Sequence, residues 1–121
     1  MEKILIDTNI LLYAIKIKAD LFEMLRSYEI VIPDLVFAEL GMLTKVAKKK
    51  SDRDAAKAAL SLLQTKIFEK PKLKGKTDEA IIDYAYKNNA AILTADKELE
   101  LKAKEKGLKV LFLKKKRIIE I

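Results

Sequence analysis

The 121-residue sequence contains no cysteine and no histidine. Without cysteine there is no disulfide, no thiol nucleophile and no thiolate metal site. Without histidine, a Ser-His-Asp triad, imidazole metal ligation and paired-histidine nuclease chemistry are excluded. Long hydrophobic runs are missing too: no stretch approaches the roughly 18 to 20 apolar residues that cross a bilayer. The run Ile4-Leu5-Ile6 ends at Asp7, Thr8 and Asn9, too soon for a signal peptide, and the chain reads as cytoplasmic. Any catalysis must come from Asp, Glu, Lys, Arg, Tyr, Ser or Thr, and carboxylates prefer hard cations such as Mg²⁺ or Mn²⁺.

What is present is a balanced globular composition, half hydrophobic and 36% charged, with a net charge of +7 carried almost wholly by lysine. A basic surplus suits nucleic acid or an anionic surface, and it suits equally a solvated surface that serves solubility and heat tolerance. Charge alone does not separate these readings. No repeat, linker or low-complexity segment interrupts the chain beyond its lysine clusters, so residues 1–121 are expected to form one domain.

The patterning alternates strand and helix. Lys3–Ile6 is an apolar strand, Thr8–Ile15 a helix, and Leu21, Phe22, Met24 and Leu25 form the apolar face of a second helix. Tyr28–Ile32 is a strand stopped by Pro33, after which Asp34 is positioned to cap a helix running to Val46. Ser51 and Asp54 form a weak capping box opening a helix over Asp52–Thr65. Lys70–Lys76 is a loop broken by Pro71 and Gly75, and Thr77 is a natural cap for Asp78–Asn88. Ala91–Thr94 is a strand; Asp96 opens a helix ending at Lys106, with Gly107 as a left-handed stop. Lys109–Leu113 and Arg117–Ile121 are the last strands. This order predicts an α/β fold with a mostly parallel sheet between helices, whose sites form at the carboxyl ends of strands. Asp7 and Asp96 both follow such ends.

Two further acids sit where structure alone does not ask for them. Glu39 has Leu35, Val36, Met42 and Leu43 as its helical neighbours, and a buried carboxylate there would cost several kcal/mol without a partner. Asp78 precedes Ile81, Ile82 and Ala85 on one face, although first-turn dipole complementarity also explains it. Asp83, flanked by Glu79 and Lys87, reads as surface or as a supporting residue. Asp7 and Asp96 are each explicable as helix caps. Four acids able to meet at one sheet edge, in a chain without histidine or cysteine, argue more than any one of them.

These stretches resemble the motifs of PIN-domain ribonucleases. Ile4-Leu5-Ile6-Asp7-Thr8-Asn9 is similar to the first motif, Val36-Phe37-Ala38-Glu39-Leu40 to the second, Thr77-Asp78-Glu79-Ala80-Ile81-Ile82-Asp83 to the third, and Ile92-Leu93-Thr94-Ala95-Asp96-Lys97-Glu98 to the fourth. The resemblance extends from Met1 to about Leu113. It implies a three-layer α/β/α domain and Mg²⁺- or Mn²⁺-dependent endoribonuclease activity leaving a 5′-phosphate. Asp7, Glu39, Asp78 and Asp96 would be the catalytic acids. Asp7, Asp78 and Asp96 would hold the metal, with Glu39 either joining them or orienting water. Thr8, Asn9, Thr94 and Asp83 would support them. The third motif leaves Asp78 and Asp83 as alternatives, and Glu98 is a further acid beside the fourth.

Setting the four acids aside leaves the rest of the chain four charges more positive than +7, a basic surface around an acidic pit. Lys48, Lys49 and Lys50, then Lys72, Lys74 and Lys76, then Lys114 and Lys115 are candidate RNA contacts, each cluster equally explicable as a solvated loop. The family resemblance also implies a homodimer. It leaves open a toxin held by a small antitoxin, an RNA-processing enzyme, and a non-catalytic RNA-binding protein on the same fold. A dehalogenase-like phosphatase would need an acid where Asn9 stands, and a receiver-type phosphoacceptor would leave Glu39 unexplained.

Overall fold

The computed structural model describes residues 1–121. Its elements are β1 (Lys3–Ile6), α1 (Thr8–Lys16), α2 (Leu21–Met24), β2 (Glu29–Val31), α3 (Asp34–Val46), α4 (Lys50–Leu63), α5 (Thr77–Lys87), β3 (Ala91–Leu93), α6 (Lys97–Glu105), β4 (Val110–Lys114) and β5 (Arg117–Glu120). The five strands form one sheet in the order β2-β1-β3-β4-β5; the first four are parallel and β5 returns antiparallel to β4. The expected α/β layering is thus present, with β3 at the centre of the sheet and β1 beside it.

The pleat explains the layers. Ile4 and Ile6 point to one face of β1 and Leu5 to the other, and all three are fully buried. On the first face they join Ile30, Ile32, Leu93, Leu111 and Leu113 beneath residues of α1 to α4 such as Ile10, Leu21, Leu40 and Ala56. On the second, Leu5, Val31, Ile92 and Val110 meet Ile81, Ile82 and Ala85 of α5 and Leu99 and Ala103 of α6. Strands covered on both sides read as continuous apolar runs, as these do. No helix is long and apolar enough to cross a membrane.

Several helix starts differ from the expected caps. Pro33 rather than Asp34 occupies the cap of α3; Asp34 is its first residue, and its Oδ1 accepts from the Leu73 N–H at 3.0 Å. The α4 helix begins at Lys50, so Ser51 lies inside it and no side chain caps it. Thr77 likewise lies inside α5, which has no side-chain cap. In each case the chain turns into the helix earlier than the polar residue that would have capped it. Gly107 is left-handed at φ +75°, as expected.

The Lys70–Lys76 stretch is tied down more than a loop need be. Glu69 pairs in parallel with Val31 at the β2 edge, the Asp34 N–H donates to the Pro71 carbonyl at 3.0 Å, and the Lys70 ammonium lies 4.1 Å from the centre of the Phe37 ring. The β4–β5 hairpin turns through Lys115 and Lys116, both at positive φ (46° and 63°). Two left-handed residues in a row match the strand twist of a two-residue hairpin.

Candidate active site

From β1 the chain crosses to β2 on one side, and later returns to place β3 on the other. The crevice of an open parallel sheet lies where the strand order reverses in this way, beyond the carboxyl ends. Here that point falls between β1 and β3, with Ile6 paired to Leu93. The next residues on the two strands are Asp7 and Thr94, and they meet.

Asp7 is buried, at 6% exposure, and both of its carboxylate oxygens are engaged. Oδ1 accepts from the Ile10 N–H at 2.9 Å and caps α1; Oδ2 accepts from the Thr94 hydroxyl. Thr94 Oγ1 in turn accepts from the Asp96 N–H at 2.9 Å. The direction of that chain is fixed, because the hydroxyl has one hydrogen and it goes to Asp7. Asp96 Oδ1 caps α6, accepting from the N–H groups of Glu98 (2.9 Å) and Leu99 (3.3 Å). Asp7 and Asp96 are therefore both helix caps.

The electrostatics join the acids across four elements. Burial pushes the Asp7 carboxyl up to about 6; the bonds from Thr94 and Ile10 oppose that rise, and the charges of Asp96 and Glu39 add to it. Asp78, in the first turn of α5, is raised first by partial burial and then by Asp96, with smaller contributions from Glu98 and Glu39. Against these stands Lys102 of α6, whose ammonium lies 3.9 Å from Asp78 and 3.2 Å from Glu98. Asp7, Glu39, Asp78 and Asp96 thus act on one another as a repelling group.

Other sequence expectations fare differently. Glu39 is exposed, not buried, because α3 buries only Val36 and Leu40 and leaves Met42 64% exposed. Thr8 is buried and Asn9 exposed, but the side chain that fixes a carboxylate is Thr94's. Asp83 is on an exposed flank of α5, held by Lys87 at 3.0 Å. Lys114 and Lys115 lie at and just past the end of β4, which shares its direction with β1 and β3, so they share the acid rim. Lys72, Lys74 and Lys76 lead into α5 just before Asp78. Lys48, Lys49 and Lys50 stand elsewhere: neighbouring Asp52 is bonded to Lys16, the last residue of α1, and Asp7 caps that helix's other end.

Two residues escaped the sequence reading. Lys102 was not singled out, and its i,i+4 spacing from Glu98 gives it a sufficient local partner. Glu100, one turn beyond Asp96, is buried to 7% with Lys97 at 3.3 Å, and its i+4 spacing from Asp96 was the available signal.

A hard cation suits this donor set chemically, since all the donors are carboxylate oxygens whose mutual repulsion a divalent charge would relieve. No three of the acids stand close enough together to share an ion as they are placed. The group is a set of opposed charges rather than a finished cage.

A parallel sheet with acids at its switch point defines a class, and the model of the PIN-like domain family matches residues 4–116. The chain belongs to that family. Ribonuclease VapC9 of Archaeoglobus fulgidus is 35% identical over 112 residues, covering 90% of this chain and 81% of the relative. Ribonuclease VapC4 of Methanocaldococcus jannaschii is 37% identical over 131 residues, covering 100% of this chain and 97% of the relative. Among solved structures, a domain of a functionally unknown protein from Methanocaldococcus jannaschii shares the fold with a TM-score of 0.71 at 21% identity, covering 94% of this chain and 92% of that one. VapBC2 from Rickettsia felis, bound to a DNA fragment from its promoter, gives 0.65 at 21% identity, covering 91% and 98%.

Proposed function

We propose that this protein is a metal-dependent endoribonuclease that hydrolyses RNA phosphodiester bonds at the Asp7–Glu39–Asp78–Asp96 group. The observation that carries the reading is Asp7. A carboxylate buried to 6% exposure, raised by its burial and by two further acids, has no purpose in a cap that an asparagine would serve as well. Perturbed carboxyls of this kind mark sites that need charge.

On this reading Asp7, Asp78 and Asp96 would hold Mg²⁺ or Mn²⁺. When bound, the cation supplies acidified water near neutral pH and offsets negative charge on the phosphate. Thr94 keeps Asp7 aimed, and its accepted bond from Asp96 N–H ties the two acids to one frame. Glu39, exposed at the edge of the group, is free to orient water. Lys72, Lys74, Lys76, Lys114 and Lys115 hold the RNA backbone on the rim by charge. Lys48, Lys49 and Lys50 would serve only a longer substrate. The relatives' identity as VapC ribonucleases favours a toxin restrained by a small antitoxin; a second copy of the chain, which the family resemblance implies, is its other proposed partner.

The test is cleavage of a labelled RNA pool by wild type, Asp7→Asn and Asp96→Asn in Mg²⁺, Mn²⁺ and EDTA. Metal-dependent cutting by wild type, lost in both variants and in EDTA, is the expected result. Cutting that survives both substitutions would refute the site. Binding without cutting on every RNA would favour the non-catalytic reading.

A further inference from the structure

Among all the basic side chains, one ammonium lies within 4 Å of any of the four candidate acids, and it is Lys102. It is half-exposed, on α6 one turn from Glu98, and spans from that residue to Asp78 on α5. Asp7, Glu39 and Asp96 have no cationic partner, so the group's only close positive charge is supplied by this side chain. Its ammonium also links α5 to α6 beyond the core they share through Ile82 and Leu99, and its side chain helps line the open groove between them.

We propose that Lys102 is the resident counter-ion of the acid group, a positioning residue that holds Asp78 and Glu98 and must yield Asp78 when a divalent cation enters. The inference rests on the reading that these acids bind such a cation. Its consequence has a sign that a structural role lacks. A positive charge beside a metal site opposes the metal, so neutralising Lys102 tightens binding although it removes two ion pairs. A single and a double positive charge a few ångströms apart in near-aqueous surroundings, screened by physiological salt, give on the order of a three- to tenfold effect.

The experiment is Mn²⁺ titration of the full chain freed of metal, followed by the spectroscopic signal of unbound Mn²⁺, for wild type, K102Q, K102R, K106Q and D96N. K102Q is expected to bind roughly three- to tenfold more tightly, with K102R at the wild-type value. K106Q removes the same charge from the end of α6 and is expected to change affinity less than twofold. Unchanged or weaker binding by K102Q, or equal tightening by K106Q, would overturn the role of Lys102 while leaving the site intact. Wild type that binds no Mn²⁺, or binds it no better than D96N, would instead overturn the metal site itself and the Lys102 inference with it.

Discussion

Replacing Asp7 with asparagine is expected to stabilise the metal-free protein at pH 7.5, against the usual cost of altering a buried, doubly hydrogen-bonded residue. An ordinary aspartate titrates near 3.8, and this one is pushed up to about 6. In the folded chain the proton is therefore kept through a range where the unfolded chain has released it. The folded state binds more protons there, so stability falls as pH rises from about 4 to about 6, and the full penalty persists above. At about 1.4 kcal/mol per pH unit, the charged carboxylate is carried at a cost of about 3 kcal/mol. Asparagine keeps an oxygen for the Ile10 N–H but sets an amide against the Thr94 hydroxyl, whose hydrogen loses its acceptor at about 1 kcal/mol. The net gain is about 2 kcal/mol, a rise in Tm of roughly 6–10 °C for a chain of this length. Thermal melts of wild type and Asp7→Asn in EDTA, from pH 4 to pH 8, test this. The difference should vanish or reverse near pH 4 and grow to its full value above pH 6. Saturating Mn²⁺ should narrow it by stabilising the wild type alone. A variant less stable than wild type at pH 7.5, or a difference that ignores pH, would refute the reasoning and leave Asp7 an ordinary cap.

Thr94→Val removes a hydroxyl that donates to Asp7 and accepts from Asp96, leaving a buried carboxylate oxygen and a part-buried N–H unserved. Urea denaturation should show a loss of about 2–4 kcal/mol, and Asp7 should titrate above about 6 when followed by carboxyl NMR. Glu39→Gln should behave oppositely because the residue is exposed: stability within about 0.5 kcal/mol of wild type, yet RNA cleavage at least about tenfold slower. A Glu39→Gln protein that cuts normally would remove Glu39 from the site.

What could be read from the sequence was whatever local chemistry decides. An acid directly after a buried apolar strand has few places to go, so Asp7 and Asp96 were legible at the sheet rim. Lys3–Ile6 was legible as an apolar strand, and its continuous run Ile4-Leu5-Ile6 is what a strand covered on both faces carries. Glu39 was misjudged because apolar neighbours at three and four positions measure hydrophobicity and not burial. The α3 helix spends only Val36 and Leu40 on the core, and Met42 is left in solvent. Asp34 was misassigned because a partner 39 residues away, the Leu73 N–H, takes the carboxylate that a local rule gives to the helix. Lys102 was invisible for the same reason: its distant partner Asp78 lies on another helix, while Glu98 offers a sufficient local explanation.

The same geometry accounts for how the acids coexist before any cation arrives. Asp7 caps α1, Asp96 caps α6 and Asp78 sits in the first turn of α5. Helices α1 and α6 each leave the carboxyl end of a parallel strand, so their amino termini open on one rim. Helix N-termini favour negative charge, by about 0.3–1 kcal/mol each where exposed and more where partly buried. Burial raises both Asp7 and Asp78 first, and the neighbouring acids add to it; Lys102 offsets part of the rise at Asp78 alone, and both carboxyls remain raised. The remainder is a localised excess of negative charge on a chain whose net charge is +7. On the proposed reading, that uncancelled excess is what draws a divalent cation to the rim, and the lysines beyond it are what keep a polyanion there once the cation is in place.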